Sequence, residues 1–302
     1  MRTALLALSR NSSVRHLTEH SRLGRRISRR FVAGLNLDDA IAAVAAVNRL
    51  GMTATLDPLG ENVATDAAAG QAGANACTIL QTIHQRQVDS NLSLKLTQLG
   101  LDLGQDLARG LLRQILEQAR RLSTFIRVDM EGSEYTEATI ALVEEMHAEG
   151  NAVGTVLQAY LHRSAGDLER LLARGIRVRL VKGAYREPAA IAFQEKAGVD
   201  ANYLRLMRRL LDSGLYHAIA THDERIIAAT IAYARQRAIA PAAFEFQMLY
   251  GIRRDLQQRL MREGWRMRVY IPYGPEWYPY FMRRLAERPA NLLFLLKNLV
   301  RS

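Results

Sequence analysis

Near the end of the chain, residues 273–290 read YGPEWYPYFMRRLAERPA, which sets Tyr280, Arg283 and Arg284 at the spacing i, i+3, i+4. On a helix those three side chains share one patch of surface, so a phenol and two guanidinium groups stand together. A guanidinium is planar, always charged, and meets a carboxylate with two parallel N–H donors, which a lysine ammonium cannot do. The patch suits a small carboxylate ligand. The same spacing also serves a solvated arginine-rich face, and the choice depends on what the rest of the chain builds around it.

Such a patch needs elements to hold it in place. Eight apolar or alternating runs read as strands: MTATLDPLG, LSLKLTQLG, TFIRVDMEG, NAVGTVLQAY, IRVRLVKGAY, YHAIATHD, AFEFQMLYG and MRVYIPYG. Between them lie helical patterns such as QDLARGLLRQILEQARRL, EATIALVEEMHAEG, AGDLERLLARG and ANYLRLMRRLLDSG. Eight strands alternating with helices predict an α/β fold in which a parallel sheet closes into a (β/α)8 TIM-like barrel. Residues 1–50, with LDDAIAAVAAVNRL as their last helix, read as an N-terminal helical segment, and residues 51–302 as the barrel domain. No Gly/Pro/Ser-rich linker divides them.

In a barrel of this kind, sites form at the C-terminal ends of the strands and in the loops that follow. There the sequence places Asp57 and Glu61, then Lys95, Asp129 with Glu131, Gln158, Lys182 with Tyr185, and Thr221-His222-Asp223. Gln247 with Tyr250 and Tyr270 with Tyr273 complete the series. A buried strand ordinarily ends in Val or Ile. Eight polar or aromatic ends in succession predict a lined pocket.

Composition narrows the classes. With 302 residues and 49% hydrophobic content the chain can bury a large core. Its single cysteine, Cys77, excludes an intrachain disulfide and a multi-cysteine metal site, in keeping with a reducing compartment. The 41 Lys and Arg against 30 Asp and Glu give +11, a charge that favours polyanions or an anionic membrane face. That charge is spread, without an aromatic-interleaved basic stripe, so nucleic acid is not the expected partner. MRTALLALSR is too short in its apolar part for a secretory signal, and no run of about 18 apolar residues could span a bilayer. The expectation is a cytoplasmic protein, peripheral at most on the inner face of the plasma membrane.

The segments SLKLTQLGL, RVDMEG, VLQAY, RLVKGAYREP, THD, FEFQMLYG, RVYIPYG and YFMRRLAERPAN occur in the order and spacing of the proline dehydrogenase family. Over roughly residues 51–295 the chain resembles a single-function bacterial member of it, not the form fused to an aldehyde dehydrogenase. The resemblance implies a distorted (β/α)8 barrel that uses FAD to oxidise L-proline to Δ1-pyrroline-5-carboxylate. It further implies that electrons pass to a membrane quinone, and that a pyrroline-5-carboxylate dehydrogenase acts downstream.

By that resemblance Gln158, Arg179 and Lys182 contact the flavin rings or pyrophosphate, and Gly183 and Ala184 let the backbone approach. Thr221, His222 and Glu287 fall where the family handles the adenosine half. No G-x-G-x-x-G occurs, so the FAD is not expected in a Rossmann unit. Arg283 and Arg284 would take the substrate carboxylate, Lys95 would add a third positive charge, and Asp129 would hold Lys95 and screen it. Tyr185, Leu249, Tyr270 and Tyr280 would enclose the pyrrolidine ring, and Glu61 would pair with Arg283 and close the pocket. Arg186 departs from the fused enzymes, which carry an aromatic there, and this bears on the flavin's exposure to solvent.

Two other classes fit parts of the chain. A barrel enzyme with another flavin or a phosphorylated substrate should show a Gly-rich phosphate loop after the seventh or eighth strand, where only YGPEW stands. A polyanion-binding protein would explain the charge but leave the acidic and aromatic strand ends without a purpose.

Overall fold

The computed structural model describes residues 30–185, 187–278, 280 and 282. Arg186, Arg283, Arg284 and Glu287 lie outside them. The first described helix, α1 (Leu37–Asn48), begins where the Asn36 side chain accepts the Asp39 N–H at 2.9 Å. Eight strands follow: β1 (Thr53–Pro58), β2 (Ser90–Leu94), β3 (Ile126–Val128), β4 (Val153–Gln158), β5 (Arg177–Val181), β6 (His217–Ala220), β7 (Phe244–Leu249) and β8 (Met267–Tyr273). Helices α2 (Asp66–Gln85), α3 (Gln105–Arg121), α4 (Thr136–Ala148), α5 (Ser164–Ala173), α6 (Lys196–Asp212), α7 (Glu224–Gln236) and α8 (Arg254–Arg262) alternate with them. All strand pairs are parallel, and β1 pairs with β8 from Thr53↔Arg268 to Pro58↔Tyr273, which closes the barrel.

Alternation along each strand separates two interiors. Ala54, Leu56, Leu92, Leu94, Val128, Leu180, Ile219, Phe246 and Val269 join the helix faces in one apolar core. The other set bonds between strands inside the barrel. Near its N-terminal end Glu245 accepts from Arg268 at 2.9 Å, from Tyr216 at 2.9 Å and from Gln247 at 2.6 Å. Arg127 donates to the carbonyls of Thr155 and Arg177 at 2.8 and 2.7 Å. Gly154 makes room for that crossing, since a Cβ there would stand 2.8 Å from Arg127 Nη1 and 2.3 Å from the Arg177 carbonyl oxygen.

Two features differ from the sequence reading. LSLKLTQLG is not one strand: β2 stops at Leu94 and Leu96–Leu99 form a 3-10 turn, ended by Gly100 at φ +82. The α1 helix also does more than precede the barrel. It packs against β1 and β8 and buries Ala40, Ile41, Val44 and Val47 in the common core. Past β8 the described residues 277, 278, 280 and 282 are helical, and Tyr280 reaches the barrel mouth.

Candidate active site

A cavity of about 610 Å³ opens at the C-terminal ends of the strands. Every described residue that the family resemblance assigns to the site lines it: Glu61, Lys95, Asp129, Gln158, Arg179, Lys182, Gly183, Ala184, Tyr185, Thr221, His222, Leu249, Tyr270 and Tyr280. Of the other polar and aromatic strand ends, Asp57, Asp223 and Gln247 line it too, whereas Glu131, Tyr250 and Tyr273 do not. Arg283, Arg284 and Glu287 lie outside the described residues.

Asp129, just past β3, is the hub of its floor. One carboxylate oxygen accepts the Ser93 hydroxyl at 2.6 Å and Arg179 Nη1 at 2.6 Å, and the other accepts the Tyr270 hydroxyl at 2.7 Å. Burial pushes this carboxyl up, but Arg179 and Lys95, with the two hydroxyl donors, outweigh it, and the group titrates below the ordinary carboxylate value. Burial holds the Tyr270 phenol well above its usual range, reinforced by Asp129. It therefore stays a donor at neutral pH.

Lys95 leaves the end of β2 and places its ammonium 2.8 Å from Asp57 on β1 and 3.9 Å from Asp129. Asp57, not Asp129, is the direct partner. β2 lies between β1 and β3, so Lys95 stands beside both carboxylates, and the nearer one is Asp57, while Asp129 accepts from Ser93, Arg179 and Tyr270. Burial alone would discharge the ammonium, but Asp57, Asp129 and Glu61 raise its pKa above the usual lysine value. Asp57 itself is pushed up by burial, against the pull of Lys95.

On the opposite rim Lys182 donates to Asp200 at 2.5 Å and to Asp223 at 2.8 Å. His222 Nε2 accepts the Leu249 N–H at 3.0 Å, and Gln158 donates to the Glu131 carbonyl at 2.9 Å. Gly183 holds φ +117, and a Cβ there would meet the Tyr160 ring at 2.2 Å, so only glycine leaves this stretch of backbone bare to the cavity. Arg179 keeps Nε and Nη2 buried with no partner among the described residues, its guanidinium 5.0 Å from the centre of the Tyr270 ring. A buried donor left unmade is costly. Unspent guanidinium donors beside a bare backbone and a lysine fit an electron-rich, anionic cofactor such as a flavin nucleotide. No group of three or more His, Cys, Asp or Glu residues suited to a metal ion occurs among the described residues.

Sequence reasoning gave no role to Ser93, Met130, Gln98 or Asp200. Ser93 and Met130 flank strand ends already singled out, and their position next to Lys95 and Asp129 was the available signal. Gln98 and Asp200 act from a turn and a helix, and nothing local marks them.

A family model described as proline dehydrogenase matches residues 40–297. "Proline dehydrogenase 1" of Bacillus subtilis (strain 168) is 44% identical over 303 residues, covering 100% of this chain and 99% of the relative. "Proline dehydrogenase" of Deinococcus radiodurans is 40% identical, covering 99% and 98%. Among solved structures, proline utilization A (PutA) from Bdellovibrio bacteriovorus, inactivated by N-propargylglycine, superposes with a TM-score of 0.83 at 26% identity. That match covers 94% of this chain and 36% of the other.

Proposed function

This chain belongs to the proline dehydrogenase family, and from that premise we propose that it oxidises L-proline to Δ1-pyrroline-5-carboxylate with FAD as cofactor and a membrane quinone as electron acceptor. The observation that carries the reading is the Arg179 guanidinium, bound to Asp129 on one side and holding two buried, unspent donors at the same cavity.

Gln158, Arg179 and Lys182 would hold the flavin, with the Gly183–Ala184 backbone against it and Thr221, His222 and Glu287 toward the adenosine. Lys182 spends two of its three N–H donors on Asp200 and Asp223, which leaves one for a pyrophosphate oxygen. Bound there, the flavin supplies the two-electron oxidant for the proline C5–N bond. The chain's own residues bind and orient. Lys95, Arg283 and Arg284 receive the carboxylate, while Tyr185, Leu249, Tyr270 and Tyr280 enclose the ring and exclude water. Glu61 pairs with Arg283 and closes the pocket. Asp129 keeps Arg179 and Tyr270 in place, and its low pKa keeps it charged while it does so.

The quinone reading carries with it a peripheral contact with the membrane. No helix among the described residues is long and apolar enough to cross one. The product would pass to a pyrroline-5-carboxylate dehydrogenase.

The test is the visible spectrum of the purified protein, followed by acid precipitation and anaerobic titration with L-proline. Released FAD and bleaching by proline are expected. FMN, or no flavin after reconstitution, would overturn the reading.

A further inference from the structure

We infer that Asp57 is a positioning residue: it holds the Lys95 ammonium where it receives the substrate carboxylate. This rests on the proline reading above. The two groups are 2.8 Å apart and almost sealed from water, with the Asp57 side chain 2% and the Lys95 side chain 11% exposed. Among the described residues Asp57 accepts the one hydrogen bond that the ammonium donates.

The backbones on both sides of the pair are stapled by a single side chain. Gln98 accepts the Lys95 N–H through Oε1 at 3.2 Å, and its Nε2 donates to the Pro58 carbonyl at 2.8 Å and the Gly60 carbonyl at 2.6 Å. The amide thereby locks the end of β1, which carries Asp57, to the turn that starts at Lys95. It also anchors the loop of Glu61. A pair fixed at both backbones loses little further entropy on meeting a ligand.

Other charges face Lys95 as well. Asp129 approaches from β3, itself bound by Arg179 of β5; Glu131 stands two residues further on; and Glu61 acts from the loop after β1. Asp129 divides its oxygens among Ser93, Arg179 and Tyr270. Asp57 is the carboxylate spent on Lys95, and with it neutralised, burial would drive the proton off the ammonium at lower pH.

The experiment compares wild type with Asp57→Asn, each also on a Lys95→Met background. KM for L-proline is followed across pH, and pyrrolidine, which has no carboxylate, serves as the control substrate. Acetate binding, followed by calorimetry at neutral and alkaline pH, reads the carboxylate site apart from turnover. Asp57→Asn should raise KM for proline by about tenfold or more and bring a new alkaline loss of proline and acetate binding. Turnover of pyrrolidine should hold, Lys95→Met should abolish the difference, and Asp57→Glu should restore part of the affinity. An unchanged KM and pH profile would overturn the inference. So would equal losses for proline and pyrrolidine, an undiminished effect on the Lys95→Met background, or a wild type that takes no acetate. Acetate binding that depends on Asp57 in a protein that does not oxidise proline would sink the proline reading and support the pair.

Discussion

Arg179 on β5 donates to Asp129 beyond β3 at 2.6 Å, a bond between two strands that are not neighbours in the barrel. It ties together the walls on either side of β4, and Arg179 keeps Nε and Nη2 buried beside the cavity that the residue lines. A buried ion pair is weak evidence of stability in itself, but removing one partner leaves the other charged and alone.

Asp129→Ala removes the acceptor of Arg179, Ser93 and Tyr270 together. It should destabilise the fold by about 3–5 kcal/mol, the cost of stranding a buried charge, and should lower flavin retention. Urea denaturation and flavin content measure both effects. A change under about 1 kcal/mol would mean that water already serves these groups.

Glu61→Ala should weaken proline binding more than it slows flavin reduction, because a group that closes a pocket mainly confines the substrate. Stopped-flow reduction separates the two. A large fall in the limiting rate at unchanged proline affinity would give Glu61 another role.

Gly183→Ala forces a side chain into left-handed backbone and onto the Tyr160 ring. The backbone strain alone costs about 1–3 kcal/mol, and the collision adds to it. The purified variant should carry less flavin and melt lower than wild type. Full flavin content would show that this backbone does not meet the cofactor.

Arg284→Lys keeps the charge and loses the planar fork, so it tests geometry apart from electrostatics. One charge-assisted bond to a desolvated carboxylate is worth roughly 1.5–3 kcal/mol, so proline affinity should fall about ten- to a hundredfold, while pyrrolidine distinguishes little between the two proteins. Undiminished proline affinity would return the arginines to a solvated face.

His217 stands at the start of β6, where Nδ1 accepts the Val178 N–H at 3.0 Å, and burial and the Arg127 charge push its pKa down to about 3 from 6.5. The folded protein holds this imidazole neutral. Its contribution is therefore complete above pH 6.5 and is lost as pH falls from there toward about 3, with a slope of at most about 1.4 kcal/mol per pH unit. His217→Gln should flatten the acid limb of the stability curve by that amount. Superposable limbs would show that the imidazole is protonated in the folded state.

The strand runs, the helices between them and the polar character of the strand ends could all be read along the chain, because each is a matter of local period. Alternation decides which wall of a strand is apolar, and eight such runs alternating with helices leave few architectures other than a closed barrel. So Lys95, Asp129, Gln158, Lys182 and Tyr270 were recognisable as cavity residues before any coordinates, Arg179 only through the family resemblance, and all line the cavity. The motifs themselves pointed to the family.

Partnership was not legible. Lys95 finds Asp57 at a separation of 38 residues, Arg179 finds Asp129 at 50, and Tyr270 finds Asp129 at 141. The closing register of β1 on β8 and the order of strands around the barrel set those meetings, and no local pattern carries that information. The same holds for Gln98, which staples two strand ends from within a turn that sequence reasoning took for strand, and for α1, which covers the wall between β1 and β8. A side chain's type and facing depend on its neighbours in sequence, whereas its bonding partner depends on how distant strands are brought into register. Only the folded barrel decides that.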